Sequence, residues 1–123
     1  VIEGLAVKVA SVEKALVDLV QFHRTPYSTD IVFQTFQEYR EGIDLDTLTT
    51  HVLRANLTTR RIFGFLYECN ALDTRALLQA VEGKASVSSI STRENQRYHH
   101  QWKLYYDSYF EKYVLPNNHP AAA

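Results

Sequence analysis

Residues 58–70, "TTRRIFGFLYECN", are the most informative stretch of this chain for its fold. The apolar residues Ile62, Phe65, Leu66 and Cys69 recur at helical spacing, which predicts an amphipathic helix with one buried side. Gly64 lies in the middle of this helix, where glycine costs roughly 1 kcal/mol relative to alanine. We therefore expect a neighbouring element to pack closely against the helix at Gly64.

Four further helices are predicted around this one. The first buries Leu16 and Leu19 and ends near Thr25-Pro26. The second buries Val32, Phe33 and Phe36 and ends at Gly42, and a third and a fifth flank residues 58–70. We expect these five helices to begin, in chain order, at Ser11, Asp30, Asp44, Thr58 and Asp73.

Strand patterns occur on both sides of this row of helices. Residues 5–9 alternate apolar and polar side chains, residues 87–90 are consistent with a short strand, and residues 102–107 alternate Trp102, Leu104 and Tyr106 with polar neighbours. A continuous helix from Trp102 to Tyr113 is the alternative for the last segment. The sequence predicts a predominantly helical α+β fold: a row of about five helices with a small sheet of an N-terminal strand and one or more C-terminal strands.

The composition limits the class of protein. The 123 residues are 46% hydrophobic and carry a net charge of −1, with basic and acidic residues interspersed. Such a chain suits one domain, assigned to residues 1–115, with 116–123 as a linker or appended tail. It lacks the basic face of a nucleic-acid-binding domain, an 18-residue apolar run and a signal peptide. With the single Cys69, this favours the cytoplasm and no membrane contact.

No catalytic, cofactor or metal motif stands out. His99 and His100 are adjacent, so they lack the i, i+4 spacing of two helical zinc ligands, and a solvated loop is the simpler interpretation. Cys69 lies on the apolar side of its helix and fits a core residue. Glycine-rich nucleotide-binding motifs are absent. We expect neither catalytic activity, cofactor nor small-molecule substrate.

Three groups of residues are candidates for contacts. Arg54, Arg60 and Arg61 could form a basic patch for an acidic protein surface or a phosphate, or a solvated face. The aromatic C-terminal segment predicts one buried side and one exposed side, with Tyr105 and Tyr109 as possible interface residues.

Asp18 is a separate question within the first helix. It could pair with Lys14 at i, i+4 on the helix surface, as such residues ordinarily do. Alternatively, it could be a partly buried acceptor that locks a neighbouring loop.

Three motifs, in order, resemble the C-terminal domain of AbiEi-family antitoxins, the transcriptional regulators of type IV toxin–antitoxin systems. The first is "VKVASVEKALVDLV", similar to the family's V-A-S-P-E-K-A-L-L-D signature, with Val12 in place of the usual proline. The second is "RRIFGFLYECNA", and the third is "HHQWKLYYD", with Asp107 where an asparagine is frequent. The matching positions include Ser11, Glu13, Lys14, Leu16, Asp18, Arg61, Gly64, Leu66, Trp102 and Leu104.

The resemblance implies a non-catalytic regulatory domain that acts through protein contacts. In this family a separate winged helix-turn-helix precedes the domain and binds DNA, and the toxin is a nucleotidyltransferase-like protein. The chain contains no methionine, so we expect residue 1 to be internal to a longer protein or to follow a removed leader. Partners are then self-association or the cognate toxin system, with DNA bound only through a domain outside this chain.

Two other functions stay open at this stage. One is a small metal-dependent or nuclease-like enzyme domain that uses Asp18 or the His99-His100 pair. The other is a direct DNA-binding module that uses Arg54, Arg60 and Arg61.

Overall fold

A computed structural model of the chain describes residues 11–90 and 96–114. These residues form five α-helices, two short 3-10 helices and a three-stranded sheet, which confirms the predicted α+β class and its predominantly helical character. The α-helices are α1 (Val12–Phe22), α2 (Pro26–Glu38), α3 (Leu45–Leu53), α4 (Leu57–Cys69) and α5 (Arg75–Val81). The strands are β1 (Ser88–Ser89), β2 (Gln96–His99) and β3 (Leu104–Asp107), and the 3-10 helices are Arg40–Gly42 and Ser108–Tyr113.

Two of the predicted helix starts are confirmed. The Ser11 hydroxyl accepts a hydrogen bond from the backbone N–H of Lys14 at 3.2 Å, so Ser11 caps α1. The Asp44 carboxylate accepts from the N–H groups of Asp46 and Thr47 at the start of α3. Both side chains satisfy N–H groups that have no carbonyl partner within the first helical turn.

The predicted start of α2 at Asp30 was wrong by five residues, and the predicted start of α4 at Thr58 by two. Thr25 and Ser28 form a reciprocal capping box and Pro26 occupies the first helical position, so α2 begins before Asp30. Proline is compatible with that position because its missing N–H would have no partner there. Asn56 caps α4, because its side-chain oxygen accepts from the N–H of Thr59 at 2.9 Å.

The start of α5 differs by only one or two residues from the prediction. The helix begins at Arg75 after Thr74, whose side chain makes no capping hydrogen bond. The carboxylate of Asp73 nevertheless accepts from the backbone N–H of Arg75 at 3.0 Å.

The sheet has the order β1-β3-β2, with β1 parallel and β2 antiparallel to β3. The strands predicted at 87–90 and 102–107 are confirmed in shortened form, and the helix from Trp102 to Tyr113 was wrong. The sequence did not predict β2, because its residues "QRYH" are polar and carry no alternating apolar pattern. The strand predicted at residues 5–9 lies outside the described residues.

Helix α4 is the centre of the core. The prediction of one buried side was too narrow, because Phe63 and Tyr67 are buried as well as Ile62 and Leu66. The reason is that α4 contacts α1, α3 and α5 as well as β1 and β3. A helix enclosed on nearly all sides buries apolar residues around most of its circumference.

Gly64 lies directly against the indole ring of Trp102, which confirms the close packing expected at this glycine. Trp102 is fully buried, and an ideal Cβ atom at position 64 would overlap three carbon atoms of its ring. The missing side chain therefore lets the turn before β3 approach the backbone of α4.

A buried carboxylate attaches the C-terminal 3-10 helix to α2. Asp30 accepts hydrogen bonds from the hydroxyl groups of Tyr109, at 2.8 Å, and Tyr113. Gln34 of α2 donates to the same carboxylate at 3.1 Å. The aromatic ring of Tyr113 packs against Phe33, with ring centroids 5.1 Å apart. Asp30, which the sequence predicted as the cap of α2, instead joins α2 to the C-terminal 3-10 helix, which is distant in sequence.

None of the helices in the described ranges combines the length and the apolar character that crossing a bilayer requires.

We predict that Gly64→Ala destabilises the protein by about 2 kcal/mol, because overpacking a core costs about 1–3 kcal/mol and outweighs the helix-propensity gain. Urea unfolding measures the change. Gly42→Ala is the matched control, since nothing lies within 4 Å of a Cβ at that position. Equal stabilities for the two variants would show that Trp102 does not restrict position 64.

We predict that Tyr113→Phe lowers the free energy of unfolding by about 1.5–3 kcal/mol, because a buried carboxylate loses a hydrogen-bond donor. Tyr27→Phe removes the same hydroxyl from a side chain that is 75% exposed and serves as the control. Thermal or urea unfolding of both variants provides the comparison. If the two variants are equally stable, the hydrogen bond from Tyr113 to Asp30 contributes nothing to folding.

Candidate functional site

Most residues that match the family motifs have structural roles. Ser11 caps α1, Leu16 and Leu104 are buried in the core, and Gly64 and Trp102 pack against each other. These positions hold the helices and the sheet together.

The acid that locks a loop is Glu13, not Asp18. Asp18 and Lys14 form a surface ion pair at 2.9 Å, with 37% and 50% of their side chains exposed, so the simpler interpretation of Asp18 is confirmed. Glu13 is buried and accepts from the backbone N–H of Asp44 at 2.8 Å, which joins α1 to the start of α3. Glu13 is buried because the first turn of α1 packs against α3.

The predicted basic patch does not include Arg61. Arg54 is exposed, and Arg60 is partly buried with its guanidinium donating to the carbonyl of Ala80 at 3.3 Å. Arg61 is only 1% exposed, and its Nη1 donates to the Ser88 hydroxyl at 2.9 Å. Arg61 lies on the side of α4 that faces β1, which removes it from the surface.

A polar cluster joins α4 to the β2–β3 hairpin. The Glu68 carboxylate lies 2.8 Å from Nε2 of His99 and accepts from the indole N–H of Trp102 at 3.2 Å. His99 is 24% exposed at the end of β2, so it is not part of a solvated loop pair. His100 is exposed in the following turn, where its ring contacts Tyr98. The two histidines therefore have different environments.

Burial and hydrogen bonding set the protonation states near this cluster. The hydrogen bond from His99 lowers the pKa of Glu68, against the opposing effect of burial. Burial, with a smaller contribution from Glu68, raises the pKa of Cys69 to about 12. The Cys69 thiol is therefore protonated at neutral pH and suits a core residue, not a nucleophile.

A cavity of about 420 Å³ lies beside the cluster, and its lining includes Glu68, His99, Tyr98, Tyr106 and Glu111. Tyr106 donates a hydrogen bond to Glu111 at 3.2 Å, and Arg97 lies 3.4 Å from the same carboxylate. Within residues 11–90 and 96–114, no group of three histidine, cysteine or acidic side chains is arranged to hold a metal ion. The polar groups of the cavity hold the hairpin against α4 and against the C-terminal 3-10 helix.

The outer side of the hairpin carries an aromatic pair. Tyr98 of β2 is directly opposite Tyr105 of β3, and their ring centroids are 4.7 Å apart. Tyr105 is 39% exposed, whereas Leu104 and Tyr106 on the other side of the strand are buried. We call Tyr98 and Tyr105 the tyrosine pair. It is a surface able to contact a partner.

Tyr109, the other predicted interface residue, lies apart from the tyrosine pair. Its ring is 53% exposed, and its hydroxyl is held by Asp30. The Lys112 ammonium lies 3.8 Å from the centre of the ring. Tyr109 therefore belongs to the attachment of the C-terminal 3-10 helix.

The sequence interpretation missed Glu68 and the inward position of Arg61. Glu68 follows Gly64 by one helical turn, so the close packing predicted at Gly64 was a signal that this part of α4 contacts another element. The burial of Arg61 had no such sequence signal.

Comparison of the chain with protein-family models, with curated proteins and with solved structures finds no match.

We predict that Glu68→Gln lowers the free energy of unfolding at pH 7 by about 1–2 kcal/mol, because two hydrogen bonds lose their charged acceptor. The pKa of Glu68 is lowered in the folded protein from its ordinary value of 4.5. The stability that ionised Glu68 contributes is therefore fully present above its ordinary pKa. This stability is lost as the pH falls through the lower pKa that Glu68 has in the folded protein. Urea unfolding between pH 3 and pH 7 measures this dependence.

Glu38→Gln is the control for this prediction, because it removes the same charge from an exposed position of α2. A pH dependence that is identical in the two variants would contradict the role of Glu68.

Proposed function

We propose that this chain is a non-catalytic, antitoxin-side regulatory domain of a bacterial type IV toxin–antitoxin transcriptional regulator. The contact between Gly64 and Trp102 is the observation that carries the proposal. It brings together the second and third of the motifs by which the chain resembles AbiEi-family antitoxins. The first motif supplies the cap and core residues of α1, which packs against the same central helix.

The domain would act through protein contacts. The buried or partly buried carboxylates accept hydrogen bonds that connect elements of the fold, as Glu13, Asp30 and Glu68 do. The tyrosine pair, in contrast, lies on the outer side of the sheet. Tyrosine is enriched among the residues that dominate binding energy at protein interfaces. We assign the tyrosine pair to the partner surface.

In this proposal the domain works in the cytoplasm and supports autorepression by a separate winged helix-turn-helix. The net charge of −1 and the interspersed charges favour DNA contact through that other domain. A protonated, buried thiol at Cys69 suits a reducing compartment. The protein partner is either a second copy of the regulator or a component of a system with a nucleotidyltransferase-like toxin.

We predict that the double substitution Tyr98→Ala and Tyr105→Ala in the full-length gene product weakens repression or toxin neutralisation at least about tenfold, as expected for loss of interface hot-spot residues. A reporter fused to the gene's own promoter measures repression. Growth of cells that express the neighbouring open reading frame measures neutralisation. Circular dichroism confirms that the variant is folded.

Tyr27→Ala is the matched control, because Tyr27 is an exposed tyrosine on α2. Normal repression and neutralisation in the double variant would contradict the assigned partner surface. Metal-dependent nuclease activity abolished by His99→Ala would instead favour the enzyme interpretation. Salt-sensitive binding of this chain to duplex DNA, lost in Arg54→Gln, would favour direct DNA binding.

A further inference from the structure

The guanidinium of Arg61 is a buried cation whose hydrogen bonds within the protein are incomplete. Its Nη1 donates to Ser88, but Nε and Nη2 have no acceptor among the described residues. No ion pair joins Arg61 to an aspartate or glutamate of residues 11–90 and 96–114. Burying a charged group is costly unless it is paired, so this arrangement favours an anion beside Arg61.

The two unpartnered atoms define the kind of anion. In a guanidinium group the N–H bonds of Nε and Nη2 lie along one edge and point in nearly the same direction. This edge forms two parallel hydrogen bonds with two oxygen atoms of a single carboxylate or phosphate. The Ser88 hydroxyl, which also receives a hydrogen bond from Thr58 at 3.0 Å, fixes the opposite edge through Nη1. The free edge is therefore held in one orientation.

Arg61 lines a second cavity, of about 400 Å³, formed between the end of α5 and the turn before β3. Gln101 and Lys103 also line this cavity, and they supply an amide and a second cation. Lys103 is held in place by a hydrogen bond from its ammonium to the carbonyl of Lys84 at 2.8 Å. Its backbone is in the left-handed region, with φ of 50°, which lysine rarely adopts.

We propose that this cavity, defined by Arg61, Gln101 and Lys103 and named here the Arg61 site, binds the phosphate group of a small molecule. The phosphate group of a monoester has three non-bridging oxygen atoms and a carboxylate has two, so a phosphate can bind the edge of Arg61 through two of them and still face Lys103 with the third. The cavity volume is in the range of small-molecule sites. The inference is independent of the function proposed above, because neither residue of the tyrosine pair lines this cavity.

Two features set the requirements for binding. Nε and Nη2 of Arg61 are shielded from solvent, so the phosphate reaches them only when side chains that line the cavity move aside. Glu82 also lines the cavity, and its negative charge opposes an anion. Removing that charge with Glu82→Gln therefore tightens binding.

Inorganic phosphate is the probe. The whole chain is titrated with phosphate at pH 6.5 while sodium chloride keeps the ionic strength constant, and the Nε–H resonance of Arg61 is followed by NMR. We expect a saturable shift of that resonance with half-saturation at millimolar phosphate, the affinity of a weak single-group ligand. Lys103→Gln is expected to raise the half-saturation concentration about threefold or more. In Arg61→Gln, where the backbone N–H resonance of Lys103 is followed instead, the concentration is expected to rise at least about tenfold.

Arg54→Gln is the control for charge, because it removes an exposed arginine and should leave the half-saturation concentration within about twofold. If Arg61→Gln does not fold, the test remains valid, because the Arg61 resonance can be followed both in the unaltered chain and in Lys103→Gln. The proposal is overturned if no saturable shift occurs up to about 50 mM phosphate. It is also overturned if acetate binds at least as tightly, or if Arg54→Gln weakens binding as much as Lys103→Gln.

Discussion

The contact between Gly64 and Trp102 is the constraint on which the rest of the structure depends. A large ring can approach a helix backbone this closely only where the helix lacks a side chain. The approach of Trp102 places the turn before β3 against α4, and Leu104 then enters the core. It also brings the indole N–H within reach of Glu68 one helical turn later. One missing Cβ atom therefore positions both an apolar and a polar contact.

Buried polar groups then define how the outer elements attach to this centre. Glu13 joins α1 to α3, Asp30 joins α2 to the C-terminal 3-10 helix, and Glu68 joins α4 to the hairpin. Each carboxylate accepts a hydrogen bond from a distant element, as burial of a charged group requires. Arg61 departs from this pattern, because two of its nitrogen atoms lack acceptors in the described part of the chain. This contrast distinguishes the Arg61 site from the structural polar groups.

The two faces of the sheet differ in the environment of their aromatic side chains: one face packs against the core, and the other is partly exposed to solvent. Tyr106 points inward and packs against Phe65, with ring centroids 4.6 Å apart, whereas Tyr105 remains partly exposed beside Tyr98. A small antiparallel sheet commonly has one face on the core and the other in solvent. The proposed regulatory role depends on the outer face and the proposed phosphate site on the turn next to it, so the two can be altered separately.

Local sequence patterns determined the five helices, the caps at Ser11 and Asp44, the strands near residues 88 and 104, and the close packing at Gly64. Helical spacing and capping act over a few residues, so they can be read without tertiary information. Only the tertiary structure decided that β2 exists, that Asp30 attaches the C-terminal segment and that Arg61 is buried. The burial of Arg61 and the attachment through Asp30 depend on partners more than 25 residues away in the chain, whose approach is set by packing around α4. Strand β2 lies close to β3 in the chain, but its polar residues form a strand only through their pairing with β3.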